Sequence, residues 1–190
     1  MAASSVSTLP SRFVTTDGRV GVLRPLNWDD LDSCLEFARG LAEEYAADIN
    51  HGTLMSHAPT MDEEREWLEG RLASVEKGDM VSVAAVLEGT LVGNSEVARG
   101  RVHDLSAHGT LGIAVARPFR GIGVGSAMLM TIIEECRRSG YKTLELAALA
   151  SNERAVRLYE KAGFTRVGVI PKKIRRRGVG FDELIMAMEL

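Results

Sequence analysis

Residues 111–129, LGIAVARPFRGIGVGSAML, run from an apolar strand-like stretch through a glycine turn into a helical repeat. Gly121, Gly123 and Gly125 remove the side chains that would hold a ligand away from the backbone, and the amides and dipole of the helix start add positive potential. Phosphate or pyrophosphate binding is the chemistry such a turn serves, with a tight turn that binds nothing as the plainer alternative. A phosphate loop of the NTPase kind is excluded. It needs Lys and then Ser or Thr directly after the last glycine, and Gly125 is followed by Ser126 and Ala127. A dinucleotide fingerprint agrees at Gly121 and Gly123, with Glu145 about twenty residues further on, but its third glycine is Ser126. Too little chain follows for the strand and helix units that such a fold requires.

Other residues could do chemistry or merely pack. Tyr159 shares a helical stripe with Ala155, Leu158 and Ala162, where an aromatic is either core or functional. Asn152 reads as a helix cap whose amide remains available to donate. Cys34 and Cys136 are the only cysteines and have no metal-ligand spacing, so no disulfide framework and no metal site is expected. Cys136 lies between Glu134, Glu135 and Arg137, Arg138 with no His spaced to activate it, which argues against an acyl-cysteine route.

Taken together, two segments resemble the GNAT N-acetyltransferase superfamily, in its branch of small amine and amino-acid acetyltransferases. Arg120, Gly123 and Gly125 match its Arg/Gln-x-x-Gly-x-Gly/Ala signature. Asn152, Ala155, Leu158, Tyr159, Gly163 and Phe164 resemble its second motif. The resemblance extends, in element order, from Leu23-Arg24-Pro25-Leu26 to the closing residues 182–190. It implies acetyl-CoA as cosubstrate, seated where two parallel strands splay apart. Main-chain groups of Ile113 and Val115 would pair with the pantetheine arm. The turn of Arg120, Gly121, Ile122, Gly123, Val124, Gly125 and Ser126 would hold the pyrophosphate, with Asn152 and Ala155 completing the cofactor side. Acetyl would pass directly to a primary amine in a ternary complex; a protein N-terminus or a non-catalytic acyl-CoA-binding module are the alternatives.

The reaction sets the remaining requirements. An alkylammonium with a pKa of roughly 10.4 must lose a proton before attack, and the departing thiolate benefits from a donor. The resemblance puts Tyr159 in the donor's place. Glu96, an acid among apolar residues in VGNSEVA, is the first choice as base, with His108 and Glu145 as rivals and an undedicated base also possible.

These residues need a scaffold. The 190-residue chain is 45% apolar and 26% charged, the balance of one ordinary globular domain with a normal core, its first ten residues a flexible leader. No apolar run nears the roughly 20 residues of a membrane helix, and no signal sequence is visible, so a cytoplasmic protein is expected. A net charge of -3 with dispersed bases argues against nucleic acid as a partner. A small-molecule amine is the expected partner, with a homodimer possible through the last strands. The expected fold is mixed α/β: a largely antiparallel central sheet with one splayed parallel pair and about four flanking helices.

Local signals place those elements. Asn27 before Trp28-Asp29-Asp30 starts a helix that Gly40 could interrupt before about Ala47, and Thr60 with Glu63 caps a second, exposed helix ending near Gly78. Strands are read over 80–87, 91–98, 108–116 and 143–149, the last as buried on both faces, and over 164–170 and 182–188. The basic residues Lys172, Lys173, Arg175, Arg176 and Arg177 read as a solvated loop. The acceptor pocket is expected from the first two helices, their loop over 50–60 and the segment between the last two strands.

Overall fold

The computed structural model describes residues 7–50, 52 and 55–190. His51 of the inter-helix loop and most of the expected leader lie outside them. Eight strands form one sheet in the order β1-β2-β3-β4-β5-β6-β8-β7, with every adjacent pair antiparallel except β5 and β6. The expected mixed sheet with a single parallel pair is what the chain forms.

The first hairpin joins β1 (Ser11–Val14) and β2 (Val20–Arg24) through Asp17-Gly18. Asn27 and Asp30 then make a reciprocal capping box that starts a short 3-10 turn running into α1 (Leu31–Ala47). Gly40 does not interrupt α1. The helix buries Cys34, Leu35, Ala38, Leu41 and Ala42, and that packing outweighs the roughly 1 kcal/mol a mid-helix glycine costs. Thr60 and Glu63 cap α2 (Met61–Glu76), which packs Leu68 with Cys34, Leu26, Ala84 and Leu91 against one sheet face. Not all of α2 is exposed, because Glu64 as well as Leu68 is buried.

Glu88 and Gly89, both at positive φ, turn β3 (Met80–Leu87) into β4 (Thr90–Arg99). β5 (His108–Val115) leads through the glycine turn to α3 (Val124–Arg138) on the opposite face. Gly93 is needed here, since a methyl group on it would sit 2.6 Å from Met128 Sδ. β6 (Thr143–Leu149) is followed by α4 (Glu153–Lys161). β6 alternates rather than being buried on both faces: Leu144, Leu146 and Leu149 are covered whereas Ala147 is exposed beside the gap.

β7 (Thr165–Arg176) and β8 (Val179–Glu189) close the fold. The basic run is therefore strand and turn rather than loop, though Lys172, Lys173, Arg175 and Arg177 are solvent-exposed as expected. Lys173 pairs with Glu183, while Arg176 is 4% exposed, stacks 4.8 Å over Tyr45 and donates to Ile49 O. The β7–β8 turn braces the end of α1 and does not line the cleft described below.

Candidate active site

β5 and β6 pair at His108↔Thr143, Gly109↔Leu144 and Thr110↔Glu145, and then diverge. Beyond that point β5 keeps only β4 as neighbour. Ala116 N–H bonds Val92 O on the β4 side at 2.9 Å, and in-plane groups alternate along a strand, so those of Ile113 and Val115 face the gap. Val115 O accepts from Arg120 Nε at 2.7 Å, which leaves the Val115 N–H.

The turn at the end of β5 is held from three directions. Thr16 N–H donates to Ile122 O at 2.9 Å, and the Arg120 guanidinium grips Glu44 of α1 with both Nη atoms, at 2.7 and 3.0 Å, while bonding Val115 O. Arg120 thus braces the turn while also lining the cleft. Ile122 packs on the core and Val124 is fully buried, so these two can serve a ligand through backbone alone. Gly121 and Gly123 adopt φ of +86° and +97°. The backbone N–H groups from Gly121 to Ser126 find no acceptor among the described residues, and Ala127 is the first whose N–H turns back, to Gly123 O at 3.0 Å. A row of free amides at a helix start, continuous with a free strand edge, fits a diphosphate followed by a linear amide-bearing arm.

α4 supplies the opposite wall. Asn152 Oδ1 accepts from Ala155 N–H at 3.2 Å, and its Nδ2 lies where a methyl on Gly52 would come within 2.7 Å. The cap uses only the Oδ1 of this amide, so Nδ2 remains beside Gly52. Arg154, which no motif marks, lies over the glycine turn, its Nη2 3.2 Å from a methyl built on Gly121. Tyr159 is 8% exposed and packs edge-on to Phe164 with centroids 6.1 Å apart. Burial pushes its hydroxyl up to about 12, so it stays protonated at neutral pH.

The second half of the cleft lies under α1 and α2. Asn94 Nδ2 donates to Glu96 Oε1 at 3.0 Å, and Arg71 Nε lies 3.0 Å from Oε2. Burial raises the Glu96 pKa above the usual carboxylate range, against the opposing pull of Arg71 and Asn94. Gly112 is directly across from Glu96, and a methyl on it would meet nothing within 4 Å, so the floor there is open. Cys34, Phe37, Glu64 and Trp67 complete this chamber. Burial pushes both the Cys34 and Cys136 thiols up to about 12, a range in which neither is a nucleophile at neutral pH.

The free β5 edge, the glycine turn, Tyr159 and Glu96 line one continuous cleft of about 1330 Å³, larger than the roughly 300–1,000 Å³ of a single small-ligand pocket. His108 and Glu145 are not part of it. Their nearest atoms are 3.6 Å apart where β5 and β6 still pair, with His108 Nδ1 also against Thr143 Oγ1. Glu64, Trp67, Arg71, Asn94 and Arg154 were not anticipated. The helical spacing of Glu64, Trp67 and Arg71 along one face was the available signal.

The Acetyltransferase (GNAT) family profile matches residues 41–164, most of the chain and all of this cleft's β4–α4 frame. The chain belongs to the GNAT acetyltransferase family. This acetyltransferase is 28% identical over 128 residues to the SPbeta prophage-derived uncharacterized N-acetyltransferase YokL of Bacillus subtilis, a match covering 65% of this chain and 68% of that one. It is 33% identical over 78 residues to the [ribosomal protein bS18]-alanine N-acetyltransferase of Escherichia coli, covering 41% of this chain and 53% of that one. Among solved structures, a GNAT-family acetyltransferase from Streptococcus pneumoniae superposes with a TM-score of 0.78 at 22% identity, over 90% of this chain and 99% of the other. YncA from Salmonella typhimurium, solved with acetyl-CoA, superposes with a TM-score of 0.74 at 19% identity, over 89% of this chain and 93% of the other. These solved neighbours share the fold of this chain. Among its described residues no His, Cys, Asp and Glu cluster is arranged to hold a metal, and no helix is long and apolar enough to cross a membrane.

Proposed function

We propose that the protein transfers the acetyl group of acetyl-CoA directly to a primary amine of a small molecule, with both substrates in the cleft together. The observation that carries this reading is the continuity of a free strand edge and a free amide turn with a chamber holding Glu96 and Tyr159. Acetyl-CoA supplies an acetyl thioester. The amides of Gly121–Ser126, with Arg154 above them, hold the diphosphate, and Ile113 and Val115 hold the amide arm as a neighbouring strand would. Ala155 and Asn152 close the far side.

The Val115 N–H, freed because Arg120 takes only the carbonyl, points a donor toward the thioester oxygen. Glu96 takes a proton from the acceptor's ammonium, directly or through water. As the C–N bond forms and the C–S bond breaks, Tyr159 Oη gives its proton to the sulfur; the nitrogen sheds its second proton, which returns through water to the Tyr159 oxygen, while the first leaves Glu96 for solvent. Positioning and preorganised donors supply most of the rate, with no covalent acyl-enzyme. The same reading takes the chain as one catalytic unit working in the cytoplasm. The exposed Val167, Val169 and Ile170 on outer strand β7 support pairing of two copies there.

Similarity to a ribosomal-protein alanine acetyltransferase favours a protein N-terminus as the second reading. The discriminating experiment measures free thiol from acetyl-CoA across small amines and across peptides with free N-termini. Release with small amines supports the primary reading, and release with peptides alone transfers the assignment to the second.

A further inference from the structure

We propose that Glu64 is the acceptor-selecting residue: it recognises the positive charge of an amine acceptor and rejects one with a carboxylate on the adjacent carbon. The acceptors expected are therefore simple alkyl or arylalkyl amines rather than α-amino acids. This deepens the acetyl-transfer reading above and rests on it.

Glu64 is in the first turn of α2, where Asp62 and Glu63 beside it are exposed. The cap of the helix is complete without it, because Thr60 and Glu63 satisfy each other. Glu64 is nevertheless only 5% exposed, and its carboxylate has no hydrogen bond or ion pair among the described residues. Burying a carboxylate without a partner is costly, so the position is unfavourable for the free protein unless a ligand brings a cation. The side chain lines the cleft beside Cys34, Phe37 and Trp67, which offer an apolar bed for a hydrocarbon body. Glu64 and Glu96 line the same cleft, with Cys34 also in its wall. The cation on that wall, Arg71, lies against Glu96 at 3.0 Å and over the Trp67 ring at 5.3 Å. With Glu96 balanced by Arg71, Glu64 leaves this end of the cleft a negative charge that attracts an ammonium and repels a neighbouring carboxylate.

The test uses the full chain, acetyl-CoA and matched acceptor pairs differing by one carboxylate: phenethylamine with phenylalanine, and agmatine with arginine. The parent should favour the carboxylate-free member of each pair by about tenfold or more in kcat/KM. In Glu64→Gln the KM for the amine should rise about tenfold, kcat and the acetyl-CoA KM should stay within about threefold, and the preference should collapse toward one. Glu64→Gln should melt no lower than the parent, since it removes an unpartnered buried charge. Preference for the amino acids, an unchanged amine KM in the variant, or a variant that melts several degrees lower would each overturn the proposal. Failure of the acetyl-transfer reading looks different: no thiol release with any amine and no binding of coenzyme A. Acetylation by both proteins with the same preference removes the role of Glu64 alone.

Discussion

In the proposed reading, the donor and acceptor halves of the cleft are built by different means. On the donor side the ligand-facing groups are mostly backbone: the Ile113 and Val115 edge, and the amides from Gly121 to Ser126. On the acceptor side they are side chains from α1, α2 and β4, namely Phe37, Glu64, Trp67, Arg71 and Glu96. Recognition by backbone demands particular local conformations, so it imposes glycine at fixed spacing and writes a motif into the sequence. Side-chain recognition imposes no such pattern, because residues 37, 64 and 96 meet only through packing of α1 and α2 on the sheet. One half can therefore stay constant for a shared donor while the other is free to change with the acceptor.

Tyr159 stands between the halves, and its substitution should have the largest effect. Tyr159→Phe should lower kcat by about 100-fold with the KM values of both substrates nearly unchanged, measured by steady-state thiol release. Equal loss of kcat and of coenzyme A affinity would make the hydroxyl a packing group and blur the division.

A substitution confined to the donor half comes next. Gly123→Val forces a β-branched residue to φ of +97°, a strain of roughly 1–3 kcal/mol. Coenzyme A binding should weaken on the order of 10- to 100-fold by calorimetry, while the amine KM stays within about twofold. Parallel losses for both substrates would show that the halves are not independent.

The smallest effect belongs to the acceptor half. Glu96 must be ionised to accept a proton, so activity rises with pH through its pKa. Arg71 opposes the upward push of burial on that carboxyl. Arg71→Gln should therefore move the acidic limb of the kcat/KM profile upward, by roughly one pH unit, without changing coenzyme A affinity. An unmoved limb would remove Glu96 from the role of base.

The same contrast explains what the sequence made legible. Capping residues at Asn27 and Thr60, the Glu88-Gly89 turn and the glycine turn after β5 are local signals, and the elements they bound appear where expected. Gly40 misleads because burial of Ala38, Leu41 and Ala42 overrides its propensity. Within the basic run over 172–177 only Arg176 departs from the solvated reading, because Tyr45 and Ile49 reach it from elsewhere in the chain. Glu64 looks like one more exposed acid on a charged helix, since nothing local reveals that packing against the sheet buries it. Arg120 belongs to a recognisable signature, yet its side chain serves Glu44, a partner 76 positions away.

Calorimetric titration with coenzyme A, dephospho-coenzyme A and pantetheine tests most directly whether the amides of Gly121–Ser126 grip a diphosphate. Both diphosphate-bearing ligands should bind, and pantetheine, which keeps the arm but lacks the diphosphate, should bind at least about 100-fold more weakly. Pantetheine binding as tightly as coenzyme A, or no binding by any of the three, would contradict the account.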